Sequence, residues 1–555
     1  MKGAAILSAS TLLVKVLGLF FSIPLANFIS PEGMSYFYGA YDIFTVFLML
    51  STAGLPIAVS RMVGTAYAMD RRREADQVFS VAFWLFWGVG VLGCLVMLFG
   101  SEQIAALQGK PGAAGCIKAL APTAFFIAIM SALRGYFQGR SNMVPTATSQ
   151  VIEAVTKVVI GIGLAYYMIS RYGSDEWAAV GSIVGVSISA ALGAVYLCLY
   201  KLYQRRKDRR EAREDGGEAL RSRKEILYSL ICFAIPITLG SCFLSALDFV
   251  DSAVLMDRMK TAAGFTQAQA DWYSGVLGNA RKFFDLPGAF VIPISTSLLP
   301  VLSGAIASRD KQSVNHISSV SMRMTLLISI PASVGMSVFA QPICQLLLFS
   351  RPEAAEAAAR VLQVLAIAIA FNSTLFTTNS ILQSFGRTTR PVVDMAVGGV
   401  VKVVISYFLA SIPEINVMGS AISTVVSYFL IMVLNIAAMR GSLPHMDSVV
   451  FTSIPILLSA GVMGGVSYGA YLGLEYFLDP RLAAVPAIGV AVVVYAVCVV
   501  LFRAVTYEDI VMLPKGEALA RLLRVKKKVR PRHMFEKTVS TRPGKARHMR
   551  NGSID

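Results

Sequence analysis

The chain has 555 residues, 55% of them hydrophobic and only 15% charged, and its mean hydropathy is +0.63. This apolar content exceeds what one globular core holds, so the composition excludes a soluble enzyme. Fifty Lys and Arg against 33 Asp and Glu give a net charge of +17, which suits either nucleic acid or a membrane surface.

Fourteen long apolar runs predict an all-α polytopic membrane protein, since about 20 apolar residues cross a bilayer. The first run is too long for the apolar part of a signal peptide, so we expect a retained helix. In chain order the predicted helices are 4–28, 37–63, 79–100, 115–136, 144–170, 177–203, 225–257, 281–306, 317–340, 355–384, 391–411, 416–440, 450–477 and 483–504.

A charged segment separates the first six predicted helices from the last eight. It contains Gly216 and Gly217 and has the composition of a linker. We therefore predict five regions: an N-terminal lobe at 1–203, a cytoplasmic linker at 204–224, a C-terminal lobe at 225–440, two further helices at 441–504, and a basic cytoplasmic tail at 505–555.

An internal repeat supports two lobes of six helices each. The sequence AGLPIAVS around Pro56 resembles SLLPVLS around Pro300, 244 residues later. The sequence KVVI recurs at Lys157 and Lys402, 245 residues apart. Because six helices is an even number, both copies keep the same orientation, which predicts a parallel repeat with a cavity between the halves.

The basic residues are concentrated beside predicted helices. Ten cations lie between Lys201 and Lys224, and fourteen more between Arg503 and Arg550. We therefore expect anionic membrane lipids, and no nucleic acid, as partners of the linker and the tail. With both termini cytoplasmic, the interior loops hold twenty cations and the exterior loops six, as the positive-inside rule requires.

Neither cysteine nor histidine forms a metal-binding pattern. The seven cysteines are scattered, mostly in apolar runs, and the four histidines occur singly in connecting segments or the tail. No G-x-x-x-x-G-K loop is present. We predict no metal, no cofactor and no ATP hydrolysis.

Three ionisable residues in the first two predicted helices are candidates for a functional site, because charge is costly in lipid. Lys15 is either a cavity cation or a lysine satisfied by a neighbouring helix. Arg61 is either a cavity cation or an inner-leaflet residue that snorkels. Asp42 is an ion-coupling candidate, or else lies at the outer interface.

Later helices carry pairs of charges at helical spacing. Asp248 and Asp251 share one face and are candidates for binding a proton or sodium, unless both lie in water. Glu153 and Lys157, four residues apart with the acid first, are predicted to form a structural ion pair. Arg281 has Asp285 at the same spacing.

Two longer motifs resemble a known superfamily of exporters. Residues 279–288 (NARKFFDLPG) resemble the eighth helix of MurJ-type lipid II flippases. Residues 134–153 (RGYFQGRSNMVPTATSQVIE) are closer still to the stage V sporulation protein B branch. Both belong to the multidrug/oligosaccharidyl-lipid/polysaccharide (MOP) exporter superfamily, and the resemblance covers about residues 4–504.

The resemblance implies a MATE-like and MurJ-like fold and a flippase that moves a polyprenyl-diphosphate-linked sugar across the bacterial cytoplasmic membrane. By motif position, Lys15, Arg61 and Arg281 correspond to cavity cations that bind the anionic diphosphate-sugar. The chain departs from the MurJ pattern at Phe21, where those flippases carry arginine. Lipid II, other envelope polysaccharide precursors and sporulation glycans all stay open as cargo, as does coupling to Na⁺, H⁺ or membrane potential.

Two other functions share these features. A drug/cation antiporter has the same fold but relies more on acids than on cavity cations. A non-transporting scaffold for envelope or spore-cortex synthesis is a third function that the sequence does not exclude. Cell-wall synthesis proteins are candidate partners. A membrane-bound enzyme is not expected, because the longest predicted outer loop, 258–278, has one central carboxylate, Asp271, and no histidine.

The predicted topology has a direct test. A cysteine replacing Ser222, in the linker, should resist an impermeant thiol reagent in whole cells, whereas one replacing Ser174, in a predicted outer loop, should react. Mass spectrometry of the labelled peptides separates these sites from the native cysteines. The reverse pattern of labelling would show that the assigned orientation is inverted.

Overall fold

A computed structural model describes residues 2–69, 71–211, 221–441, 443 and 448–505. These residues form helices and no strand. The described residues lie almost wholly in one compact unit, residues 1–504. The predicted basic tail lies almost wholly outside the described residues, as does part of the predicted linker.

The described part of the chain forms twenty α-helices. The first ten are α1 (Lys2–Phe28), α2 (Pro31–Thr52), α3 (Leu55–Ala68), α4 (Arg72–Phe99), α5 (Ser101–Leu107), α6 (Ala113–Gly139), α7 (Val144–Thr156), α8 (Ile162–Tyr172), α9 (Asp175–Glu211) and α10 (Arg223–Thr261). The others are α11 (Gln267–Phe284), α12 (Gly288–Ala307), α13 (Lys311–Val338), α14 (Ala340–Leu347), α15 (Pro352–Leu365), α16 (Ile367–Ser384), α17 (Thr389–Leu409), α18 (Met418–Arg440), α19 (Val449–Glu475) and α20 (Pro480–Leu501).

Thirteen segments of the described chain are long and apolar enough to cross a membrane, and the bent pair α15–α16 makes a fourteenth. The predicted polytopic all-α fold is therefore confirmed. Several of these segments are broken. A break at Ala53 and Gly54 divides α2 from α3, and a 49° bend separates α15 from α16.

The largest difference from the predicted helices is α11. The sequence predicted a loop over 258–278 and a helix starting at 281, whereas α11 begins at Gln267. Thr266 caps it in a reciprocal capping box with Gln269. Because its buried face includes Asp271 and Asn279, α11 is too polar to be recognised as an apolar run.

Two short helices that the sequence did not predict support the repeat. After α4 the chain forms α5, and after α13 it forms α14, at equivalent places in the two halves. A turn with a positive φ precedes both α7 and α17, at Ser141 and at Gly386, 245 residues apart. This spacing equals that of the two KVVI segments.

The two halves interlock at one end of the bundle, named here the Ser30 end; the opposite end is named the Arg71 end. Asn27 donates a hydrogen bond to the Leu347 carbonyl (2.7 Å) and accepts one from the Ser350 amide (2.9 Å). Nearby, α2 and α11 approach so closely at Pro31 and Gly275 that a Cβ on Gly275 would clash with the Pro31 backbone. The Ser30 end is thus closed.

Loosening this closure should expose the interior. Asn27→Leu removes two hydrogen bonds worth about 1 kcal/mol each, so a cysteine replacing the buried Ser252 should react with a water-soluble thiol reagent roughly thirtyfold faster. The measurement is the labelling rate of the peptide carrying residue 252 in purified protein. Asn142→Leu, near the Arg71 end, is the control and should leave the rate unchanged. An unchanged rate in Asn27→Leu would mean that Asn27 does not hold the end closed.

Candidate functional site

Four charged side chains from three helices form a network inside the bundle, which we name the charge quartet: Asp248, Asp251, Arg281 and Lys402. Lys402 Nζ lies 2.8 Å from Asp248 Oδ1 and 3.3 Å from Asp251 Oδ2. Arg281 lies 3.2 Å from the same Asp251 oxygen. Two acids and two bases balance, so the quartet has no net charge.

The quartet is buried at its centre and exposed at one edge. The Asp251 side chain is 0% exposed, whereas that of Asp248 is 66% exposed and that of Arg281 31% exposed. Ser420 of α18 completes the network, since it accepts a bond from Arg281 (3.0 Å) and donates one to Asp251 (3.3 Å). Asp251 Oδ1 is buried without a partner among the described residues.

The structure thus brings together Asp248, Asp251 and Arg281, and adds a resident cation that the sequence did not predict for this site. The Lys402 ammonium lies between the two carboxylates, where a bound proton or sodium was expected. Asp285, four residues after Arg281, caps the end of α11 instead of pairing with it. The KVVI repeat was the one sequence signal that could have drawn attention to Lys402.

The predicted Glu153–Lys157 ion pair is wrong. Glu153 pairs with Arg134 at 3.1 Å, and Lys157 lies over the Phe21 ring, 5.2 Å from its centroid. Glu153 lies in α7, before the π-helical turn Lys157–Gly161 that separates α7 from α8, so the turn does not break the spacing of the two residues. Glu153 instead pairs with Arg134 of the neighbouring α6.

A second group of bases, the lysine cluster, consists of Lys15, Lys157 and Lys282. The charge of Lys15 acts on Lys157 and on Asp285, and Lys282 acts on the same two groups. Phe21, which the sequence singled out, is only 3% exposed and packs against Phe37. It lies beneath Lys157.

The turn Gln108–Lys110, between α5 and α6, connects Asp42 to the Ser30 end, and we name it the tip. Gln108 donates to Asp42 (2.9 Å) and to Ser252 (3.4 Å). Lys110, only 1% exposed, donates to the same Ser252 hydroxyl at 3.2 Å. Between them Gly109 has φ +72°, which favours glycine, and its carbonyl accepts from α10 and α11 residues. From the sequence, Lys110 is one of the six cations of the predicted exterior loops.

Arg61 lines a different cavity, of about 290 Å³, at the Arg71 end. Its guanidinium lies 4.9 Å from the Phe233 ring centroid. Arg71, Arg221 and Glu74 also line this cavity. Arg61 therefore does not join the charge quartet, although the sequence grouped it with Arg281.

An apolar groove of about 350 Å³ lies on the outside of the bundle, between α13, α14, α19 and α20. Its walls include Phe339, Met463, Ile488 and Val492. Among the described residues, no cluster of His, Cys, Asp or Glu has metal-binding geometry.

A bundle of this topology, with charge from both halves buried inside it, defines a multi-pass membrane transporter or flippase. A family model described as "Polysaccharide biosynthesis protein" matches residues 1–306 of the chain, and the MatE family model matches residues 275–408. The chain belongs to this polysaccharide biosynthesis protein family, in the MOP superfamily, as its motifs indicated.

Three relatives come from Bacillus subtilis (strain 168). The uncharacterized membrane protein YabM is 26% identical over 94% of this chain and 96% of its own length. Stage V sporulation protein B is 24% identical over 93% and 97%. The lipid II flippase MurJ is 24% identical over 73% and 76%.

Solved structures share the fold. The lipid II flippase MurJ in an inward closed conformation superposes with a TM-score of 0.69, at 17% identity over 91% of this chain and all of that one. An inward-facing multidrug resistance MATE transporter gives 0.65, at 15% identity over 80% of this chain and all of that one.

The neutrality of the charge quartet can be tested by charge-balanced substitution. Asp251→Asn and Lys402→Gln each leave one buried charge uncompensated, at a cost of about 3–5 kcal/mol, so each should lower the amount of folded protein and its melting temperature. The double variant restores neutrality and should recover most of both. Asp257→Asn, whose carboxylate is exposed, is the control. A double variant at least as damaged as the sum of the single ones would contradict the pairing.

Proposed function

We propose that this protein moves a polyprenyl-diphosphate-linked sugar, such as lipid II or a related envelope precursor, across the bacterial cytoplasmic membrane by alternating access. The observation that carries the proposal is the convergence of charged side chains from both halves inside the bundle, on α1, α2, α10, α11 and α17. Such residues are expensive in lipid and mark the path of a polar substrate.

The closed Ser30 end supports this proposal. With one end held shut by Asn27 and by the Gln108–Lys110 tip, a headgroup enters the interior from the Arg71 end. We assign that end to the cytoplasm, with both termini, because of its many cations. The basic linker and tail would contact anionic lipids there, and cell-wall synthesis proteins are candidate partners for cargo delivery.

Cargo recognition would use cations inside and at the entrance of the bundle. Lys15 lies on α1, Arg61 lines the cavity at the Arg71 end, and Arg281 is partly exposed at the edge of the quartet. A phosphate oxygen accepts strong charge-assisted hydrogen bonds from such groups. The prenyl chain would stay in lipid, and the groove beside α19 and α20 offers an apolar surface for it.

Coupling to an ion would pass through the quartet. A proton or sodium ion bound by Asp248 or Asp251 has to compete with the Lys402 ammonium, so ion binding releases Lys402 and changes the packing of α10 against α17. Asp42, bonded to the tip at the Ser30 end, is the second candidate. Ion binding biases the transport cycle only through different affinities in its two states.

A drug/cation antiporter is the second candidate function, favoured by the match of residues 275–408 to the MatE model. Its substrate would need acids that lack a basic partner. Asp248, Asp251 and Glu153 each have one, whereas Asp42 and Asp285 have no ion pair among the described residues. Because most of these acids are paired with a base, an anionic cargo is favoured. A scaffold role would predict no transport of either kind.

The experiment is transport in liposomes that contain the purified protein. A fluorescent polyprenyl-diphosphate sugar should leave the outer leaflet, measured by quenching with dithionite, and Lys15→Gln should lower the rate at least tenfold at equal protein content. Lys118→Gln, a surface lysine paired with Glu102, is the matched control. Imposed sodium, proton and potential gradients identify the coupling. Accumulation of an organic cation, without movement of the lipid-linked sugar, would establish the antiporter instead.

A further inference from the structure

Lys110, the last residue of the tip, is a buried cation without an ion pair. Its side chain is one of the largest fully buried ones, at 1% exposure. No carboxylate of the described chain lies within 4 Å of its ammonium, whereas the buried Lys402 has two, at 2.8 and 3.3 Å. Burial lowers the pKa of Lys110, because the charged form loses its hydration.

The hydrogen bonds of Lys110 offset only part of that loss. An ammonium has three donors, and among the described residues this one makes a single bond, to Ser252 Oγ at 3.2 Å. The same hydroxyl also accepts a bond from Gln108 at 3.4 Å. Asp42 and Asp271 attract Lys110 from beyond ion-pair distance. The closed Ser30 end therefore carries the cost of burying a charge that no contact neutralises.

Two acceptors in the same closure are also incompletely bonded. Asp271, at 1% exposure, accepts bonds from Tyr36 and Gln267 on Oδ2, but its Oδ1 is buried without a partner among the described residues. Gln108 Oε1 is buried in the same way. A buried polar atom without a partner loses its bond to water and gains nothing in return.

The rest of the tip is complementary to its surroundings. The Gly109 carbonyl accepts bonds from Lys260 (3.2 Å) and Gln267 (2.9 Å). Gly39 of α2 makes room for the tip, since a Cβ there would lie 3.0 Å from Gln108 Oε1 and 3.1 Å from Lys110 Cδ. The closed end thus combines favourable contacts of the tip backbone with one unfavourable buried charge.

We infer that Lys110 limits the stability of the closed Ser30 end, so that this end opens during the transport cycle. The inference rests on the proposed function, in which the two ends open in turn. An open end returns the ammonium to water and removes the cost of its burial. Because a ligand shifts two states only by its difference in affinity for them, closed and open states of similar free energy are needed. Lys110 brings them closer.

The first test is the thermal stability of the purified full-length protein. Lys110→Met replaces the ammonium by an apolar group of similar length, so its melting temperature should rise by several degrees. Lys110→Arg keeps the charge and should show no rise. Lys118→Met, at a surface lysine paired with Glu102, is the control and should also show none. An unchanged or lower melting temperature in Lys110→Met would mean that Lys110 helps to hold the end closed, contrary to the inference.

The second test measures opening directly. Spin labels on cysteines replacing Ser174 and Glu353 lie on different halves at the Ser30 end, because their neighbours Asp175 and Arg351 contact Ser30 and Phe28 there. Double electron–electron resonance gives the distance between them in protein whose seven native cysteines are replaced by alanine.

This measurement is made in the Asn27→Leu variant, which raises the open population. Adding Lys110→Met should lower that population at least tenfold, whereas adding Lys110→Arg should not lower it. An equal or larger open population with Lys110→Met would refute the inference. The melting temperatures do not depend on Asn27 and decide the matter by themselves if Asn27→Leu stays closed.

Transport in liposomes separates this inference from the proposed function. Lys110→Met should slow movement of the lipid-linked sugar at least tenfold, because the end that releases it opens less often, and Lys110→Arg should retain movement. Opening that depends on Lys110, in a protein that moves no sugar, would contradict the function and keep the inference. Sugar movement at an unchanged rate in Lys110→Met would contradict the inference alone.

Discussion

The cost of burying charge among membrane-spanning helices governs this structure. An uncompensated ion in lipid costs several kcal/mol, so each intramembrane charge needs a partner or a ligand. The quartet Asp248, Asp251, Arg281 and Lys402 satisfies this rule within the chain and ties α10, α11 and α17 together.

The closed Ser30 end is connected to the charge quartet by hydrogen bonds. Gln108 and Lys110 reach from the α5–α6 tip to Ser252, the residue next to Asp251, so the closed Ser30 end contacts the helix that carries the quartet. Movement of the tip would change the surroundings of Asp42 and of α10 together. Changes at the quartet and at the closed end are therefore coupled through α10.

The repeat places a lysine at the equivalent position of each half, and the two lysines have different surroundings. Lys157 and Lys402 occupy equivalent KVVI segments, yet one lies over an aromatic ring and the other between two carboxylates. The π turn in one copy and the acids of α10 beside the other account for the difference. A parallel repeat of helices thus does not require equal chemistry in its two halves.

The sequence by itself determined the all-α polytopic fold, the repeat and the superfamily, because apolar run length, residue offsets and motifs are local properties of the chain. It also singled out Lys15, Asp42 and Asp251 as intramembrane charges. Only the tertiary structure decided which charges are paired. Glu153 pairs with Arg134, and Arg281 pairs with Asp251. Asp251 also lies beside Lys402, which follows it by 151 residues in the chain. Pairing depends on distances between helices, which do not follow from the spacing of residues along one helix.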